Sequence, residues 1–176
     1  MDRTEIKHRL RKVSLCGLLT SVMLILGYVE SLLPPLPLPG IKLGLSNSVL
    51  VFALYLLDIP TAFLLMGMKV TLSGLLFGGV SAMAYAFAGG LLSMLAMSLL
   101  RCCKGISVVV TGMVGGMMHN VGQVALAMLI LKTPGLRYYM AVLMAAGLLC
   151  GALSGSCAKG VMGAVEKKTE GDSLPF

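Results

Sequence analysis

The stretch SAMAYAFAGGLLSMLAMSLL, residues 81–100, contains no Asp, Glu, Lys or Arg. A helix of about 20 apolar residues crosses the hydrocarbon core of a bilayer, which is about 30 Å thick. Similar stretches fill most of the chain, and only eight charged residues lie between Val13 and Ala158. A water-soluble domain cannot bury so much apolar surface, so these stretches are predicted to be membrane helices.

The overall composition supports a membrane protein. The 176 residues are 57% hydrophobic and 12% charged, and the mean hydropathy is +0.95. Soluble domains are about 25% charged. The length allows about six spans and no separate soluble domain. Because nothing resembles a phosphate-binding loop, the chain alone is not expected to hydrolyse ATP.

Proline, glycine and charged residues divide the apolar sequence into six predicted helices. Their predicted bounds are 13–33, 43–57, 60–77, 81–100, 106–131 and 138–163. The predicted fold is therefore all-α, an integral membrane bundle of six transmembrane helices. This membrane domain (13–163) follows a basic N-terminus (1–12) and precedes a polar tail (164–176).

The distribution of Lys and Arg predicts the orientation of the bundle. Ten of these residues fall on the side that holds both termini, and three fall on the other side. Positive residues favour the cytoplasmic side, so both termini are predicted to be cytoplasmic. The basic start resembles a signal peptide, but the following apolar run is too long and is interpreted as a retained first span. The charge is spread over helix ends, which argues against nucleic-acid binding.

Lys69 is the most specific local signal, because it falls in the middle of a predicted span. An ammonium near the bilayer centre costs about 2.5–3.5 kcal/mol on insertion scales. The residue is expected to face a cavity, a carboxylate or a ligand anion. We predict burial against the polar turn of the fifth helix or against Glu30; snorkelling to an interface is the alternative.

Three further polar residues flank the proline-rich segment between the first two helices. Glu30 ends the first helix, Lys42 follows the prolines, and Asn47 lies one turn inside the second helix. We predict that the semi-rigid segment 33–41 closes over a pocket, with Lys42 at its mouth. An interfacial carboxylate for Glu30 and an ordinary loop lysine for Lys42 are the alternatives.

A second polar cluster lies in the fifth helix. His119 and Gln123 are four residues apart and share a helix face, and Asn120 lies beside them. We interpret the cluster as the lining of a substrate pocket; a hydrogen-bonded contact between helices is the alternative. Neither a metal nor another cofactor is expected, because only two His residues occur and no cysteine forms a CxxC pair.

Small residues recur at four-residue spacing, which lets helix backbones approach closely in lipid. Internal packing explains most of these stripes, and one is expected to face another protein. The stripes are Gly17/Ser21, Gly74/Gly78, Ala82/Ala86/Gly90, Gly112/Gly116 and Gly147/Gly151/Gly155.

Catalysis by this chain alone is not expected. Prenyl transfer requires clustered aspartates that hold Mg²⁺ on a diphosphate, and this chain has only Asp2, Asp58 and Asp172, none adjacent to another. No GxSxG or HExxH motif occurs.

Two motifs carry a resemblance to a known family. Glu30 with PLPLPGIKLGLSN (35–47), together with GGMMHNVGQ (115–123), resembles the Gx transporter family, also labelled heptaprenyl diphosphate synthase component I. The resemblance covers about residues 12–163. That family in turn resembles the substrate-binding S components of energy-coupling factor (ECF) transporters.

The resemblance implies a six-helix subunit that captures a small solute and docks on a membrane scaffold carrying two ATPases. It places the docking face on the first helix, where Gly17 and Ser21 stand in place of the usual Ala-xxx-Ala. We expect the solute to be anionic or amphipathic. One alternative is a non-catalytic membrane partner of a soluble prenyltransferase subunit in isoprenoid or quinone side-chain synthesis. Another is a structural membrane partner of a redox or quinone system.

Overall fold

The computed structural model describes residues 3–32, 44–133 and 135–172, and these residues form an all-α structure. The elements are α1 (Arg3–Leu32), α2 (Leu45–Leu56), α3 (Ile59–Ser73), a π-helical turn (Gly74–Gly78), α4 (Gly79–Cys102), α5 (Val108–Leu131) and α6 (Leu136–Asp172). The predicted all-α fold class is therefore confirmed.

Four helical segments in the described residues are long and apolar enough to cross a membrane. They are Arg3–Leu32, Ile59–Cys102, Val108–Leu131 and Leu136–Lys167. The apolar helix Leu45–Leu56 has 12 residues, so it rises only about 18 Å, less than the thickness of the hydrocarbon core.

The segment Ile59–Cys102 folds back on itself at its glycines. Gly79 has φ 74°, a left-handed conformation that glycine adopts without strain. On either side of this point, Gly74 packs against Met83, and Gly90 packs against Met66. Residues equally distant from the turn therefore meet, so α3 and α4 form an antiparallel pair.

Two helix ends lie nine or ten residues from their predicted positions. The first helix begins at Arg3 and therefore includes most of the basic segment that was placed before the membrane domain. The last helix continues to Asp172, through the polar stretch that follows Gly163. Lys and Glu are good helix formers, so the helix extends beyond the apolar run.

Contacts between elements describe a ring with one helix outside it. The ring follows chain order: α2 packs on α3, α3 on α4, α4 on α5 and α5 on α6, and α6 closes the ring against α2. The first helix packs against α2 and α3. The interior of this ring holds the candidate site.

The two sides of the bundle pack differently. Bulky residues such as Met23, Leu54, Leu65 and Met94 fill the core, which comes mainly from α1, α2 and α3. The contact between α5 and α6 is instead made by glycines. A Cβ atom placed on Gly112 would lie 2.6 Å from the carbonyl oxygen of Gly151, so the two backbones touch. The stripes Gly112/Gly116 and Gly147/Gly151/Gly155 therefore pack against each other inside the bundle, as expected.

Large apolar side chains remain exposed on the outside of the bundle. Examples are Val13 at 70%, Leu99 at 71%, Leu129 at 75% and Leu149 at 69%. In water such a surface would cause aggregation, whereas lipid solvates it.

Candidate functional site

A cavity of about 140 Å³ lies inside the ring, and every helix contributes to its wall. Most of its polar groups come from one residue or one turn per helix. The polar residues that line it include Glu30, Ser46, Asn47, Lys69, Ser73, Ser93, His119, Asn120, Gln123 and Ser154. Apolar side chains, among them Leu50, Met66 and Met94, complete the lining.

Lys69 lies in this cavity wall and not on the outer surface. Its Nζ donates a hydrogen bond of 2.6 Å to Oδ1 of Asn47 on α2. This amide oxygen is a polar partner for an ammonium that would be costly in hydrocarbon. Sequence reasoning selected both residues for their positions in or beside predicted spans but did not pair them with each other.

Gly44 is held through both of its backbone polar groups. Its N–H donates to Oε1 of Glu30 at 2.6 Å, and its carbonyl oxygen accepts from Oγ of Ser154 at 3.0 Å. The same carbonyl accepts from the N–H of Asn47 at 2.8 Å, which begins α2. Since φ of Gly44 is 74°, glycine suits this position. These contacts connect α1, α2 and α6 at the edge of the cavity.

The polar turn of α5, formed by His119, Asn120 and Gln123, lines the cavity and also contacts α6. Nε2 of His119 and Nε2 of Gln123 are 3.0 Å apart, as expected for residues four apart on one helix face. Asn120 instead donates from Nδ2 to the carbonyl oxygen of Leu143 on α6 at 2.6 Å. The cluster therefore both lines the cavity and makes a hydrogen bond between helices. Its role in binding a substrate stays a prediction.

Glycines let α4 and α5 pack closely, because they have no side chain between the two backbones. A Cβ atom on Gly89 of α4 would lie 2.8 Å from Cγ of Gln123 and 3.2 Å from Cε1 of His119. A Cβ atom on Gly122 would lie 2.7 Å from the carbonyl oxygen of Ala88. The backbones of α4 and α5 therefore approach closely enough for the α5 side chains to reach the cavity.

Several predicted site residues lie elsewhere. Lys42 and the segment 33–41 fall outside the described residues. Gly17 and Ser21 lie on the exposed side of α1, where Oγ of Ser21 donates to the carbonyl oxygen of Gly17 at 2.9 Å. Within the part of the chain that the structure describes, a Cβ atom on Gly17 would meet nothing within 4 Å. Their role in docking stays a prediction.

Sequence reasoning missed Ser154 as a site residue. It is 4% exposed, and its hydroxyl oxygen lies 3.0 Å from the carbonyl oxygen of Cys150 in its own helix, so its single proton is shared between this carbonyl and that of Gly44. Its only sequence signal was its position between Gly151 and Gly155, in a stripe attributed to helix packing. Among the residues described, no group of three His, Cys, Asp or Glu side chains is arranged to hold a metal ion.

The opposite end of α2 carries a separate ionic contact. Nζ of Lys12 lies 2.6 Å from Oδ2 of Asp58, and Oδ1 of Asp58 accepts from the N–H of Thr61 at 2.8 Å, capping α3. The bond from Lys12 and then those from Thr61 lower the pKa of Asp58 from 3.8 to about 2. Arg101 at the end of α4 donates to the carbonyl oxygen of Leu57 at 3.2 Å. This end of the bundle is therefore closed by polar contacts outside the cavity.

These features define an all-α, multi-pass membrane protein with a polar internal cavity. A model of the family described as heptaprenyl diphosphate synthase component I matches residues 19–161. The match covers most of the chain, so the protein belongs to this family, and the resemblance found in the sequence is confirmed. Comparisons with curated proteins and with solved structures gave no match.

Proposed function

We propose that this protein is a membrane-embedded solute-binding subunit of the S-component kind, which serves uptake and has no catalytic activity of its own. The observation that carries the proposal is the cavity, in which polar groups from all the helices converge inside an otherwise apolar bundle. Polar residues in membrane interiors are costly and commonly mark solute or ion sites.

The size and lining of the cavity favour a small solute with an anionic group. A volume of about 140 Å³ is close to that of an apolar protein cavity that binds benzene, at about 150 Å³. Lys69 and His119 supply positive or hydrogen-bonding groups, and the methionines offer an adaptable apolar wall. A prenyl chain of many carbons would exceed this volume.

The proposed topology has six spans with both termini in the cytoplasm of a bacterial cell. The antiparallel pairing of α3 and α4 supports counting Ile59–Cys102 as two spans. The excess of Lys and Arg on the side of the termini supports the orientation.

Uptake would be driven by a membrane scaffold subunit and two ATPases, because this chain has no phosphate-binding loop. We assign docking to the exposed face of α1 that carries Gly17 and Ser21, since small residues allow close helix contact.

One observation favours a second candidate, a non-catalytic membrane partner of a soluble prenyltransferase subunit. The family that matches the chain is described as component I of heptaprenyl diphosphate synthase. That description applies to the family. The second candidate function gives no role to the cavity described above.

Copurification in mild detergent distinguishes the two functions. We expect a scaffold subunit and ATPases to accompany the wild-type chain, and the substitution of Gly17 and Ser21 by Leu to abolish this. The matched control replaces Gly160 and Ala164 of α6, also exposed and small, by Leu. Recovery of an Asp-rich soluble prenyltransferase instead would favour the second candidate.

Solute binding is tested separately with the purified chain. A thermal-shift screen against vitamins, prenyl diphosphates and quinone precursors should yield a compound that raises the unfolding midpoint by mass action. The shift should be lost in Lys69→Met and His119→Ala. An unchanged shift in both variants would exclude the cavity as the site.

A further inference from the structure

Two opposite charges line the same cavity, and residues at the start of α2 hold each of them. The carboxylate of Glu30 is held at the N–H of Gly44, and the ammonium of Lys69 at the side chain of Asn47, both at 2.6 Å. The backbone N–H of Asn47 also donates to the carbonyl oxygen of Gly44 at 2.8 Å. The two charges are therefore held by residues that contact each other at the cavity wall.

The charges of the cavity decide which solutes it accepts. Its titratable side chains are Glu30, Lys69, His119 and Cys150. With a neutral imidazole and thiol, the positive and negative charges cancel. A monoanion or a monocation would then bring a net charge into a low-dielectric interior, which is costly. A solute with one charge of each sign adds none, and each charge can face its opposite.

We propose that the solute is a small zwitterion of the amino-acid type, an inference that rests on the proposed function. Its carboxylate faces Lys69 and Asn47, and its ammonium faces Glu30. A cavity of about 140 Å³ leaves room for a short side chain, which would contact apolar residues such as Met66 and Met94. The anionic group expected from the sequence is thus accompanied by a cationic one.

The test begins with unaltered full-length protein in lipid nanodiscs. The probes are the standard amino acids and 4-aminobutyrate, and the readout is the shift in the thermal unfolding midpoint. The best zwitterion is then compared with its N-acetyl derivative, which lacks the positive charge, and with its methyl ester, which lacks the negative charge. We expect the zwitterion to bind at least about tenfold more tightly than either, the loss typical of one charged hydrogen bond.

Charge-removing variants test the assignment of each end. The Glu30→Gln variant should bind the zwitterion less tightly and the N-acetyl derivative more tightly, because the negative charge in the cavity wall has been removed. In Lys69→Met the methyl ester should gain affinity instead. The matched controls are Glu5→Gln and Lys104→Met, at exposed positions outside the cavity. They should leave the relative affinities for the zwitterion, the N-acetyl derivative and the methyl ester unchanged.

The outcomes separate this inference from the proposed function. Equal binding of the zwitterion and its N-acetyl derivative by wild-type protein would overturn the zwitterion class and leave solute binding intact. If no zwitterion binds but an anionic compound of the wider screen does, the same conclusion follows. If no compound of either set binds, both proposals fail. The comparison of analogues on wild-type protein decides the matter even where a variant does not fold.

Discussion

The helices pack in two different ways on the two sides of the bundle. One side is formed by α4, α5 and α6, and the other by α1, α2 and α3. On the first side, glycines such as Gly112 and Gly151 bring backbones into contact. On the second, buried side chains such as Leu54 and Leu65 interlock. In lipid, helices gain little hydrophobic energy from association, so van der Waals contact must hold both sides. The glycine side has no room to adjust, whereas the other side has flexible side chains that can.

The largest expected effect comes from filling the glycine contact. Gly112→Leu should prevent α5 and α6 from packing, because even its Cβ would meet backbone atoms of Gly151 and Gly155 at 2.6 and 2.8 Å. Gly112→Ala should cost about 1–3 kcal/mol, as overpacking does. Yield and elution of folded protein on size-exclusion chromatography provide the measurement.

Gly160→Leu in α6 is the matched control, because no described residue would lie within 4 Å of a Cβ atom there. Folding should be retained, with a change within about 1 kcal/mol. If both Leu variants behave alike, close backbone contact is not what distinguishes this side.

A smaller effect is expected from removing a side chain on the other side. Leu65→Ala, at a fully buried position, should cost about 2 kcal/mol, at the low end for such changes, because lipid already solvates apolar groups in the unfolded state. Its neighbour Leu64 is 58% exposed, so Leu64→Ala should be nearly neutral. SDS titration of both variants in mixed micelles measures the difference, and equal losses would contradict the packing described for α3.

The ionic contact that ties α1 to the turn before α3 should contribute less. Asp58→Ala removes a helix cap and the pair with Lys12, costing about 1 kcal/mol; Lys12→Met alone should cost less, because the pair is about half exposed. The pKa of Asp58 is lowered in the folded state, so its stabilisation is complete above its ordinary value of 3.8 and is lost as pH falls towards about 2.

Thermal midpoints measured across this acidic range test that assignment. The decline should be shallower in Asp58→Asn than in wild type, whereas Glu5→Gln should follow wild type. An unchanged profile in Asp58→Asn would show that another carboxylate is responsible.

The smallest effect concerns a hydrogen bond that joins the two sides. The hydroxyls of Tyr55 on α2 and Thr111 on α5 are 2.7 Å apart. Tyr55→Phe should cost about 0.6 kcal/mol, the average for such bonds in a membrane protein. Tyr85→Phe, on α4, is the control. A loss above that of Leu65→Ala would mean that polar contacts, and not packing, dominate this bundle.

The sequence alone predicted the structural features that depend on residues close together in the chain. Apolar length and helix-breaking residues predicted the helices, and the spacing of His119 and Gln123 predicted that they share a helix face. Contacts between distant residues could not be predicted in this way. The bond between Lys69 and Asn47 spans 22 positions, and that between Lys12 and Asp58 spans 46. The sequence shows that such groups need partners, but only the fold determines which partner each one meets.

The bond between Gly44 and Ser154 joins residues 110 positions apart and has a consequence for biogenesis. A membrane protein is inserted as it is synthesised, so α1 and α2 enter the bilayer long before α6 leaves the ribosome. Until then the carbonyl of Gly44 lacks its contact with α6, and the ring is open. The nascent protein therefore acquires its complete cavity only at the last insertion step, and a chain terminated before Ser154 would present an open, polar-lined cleft to membrane quality-control proteases.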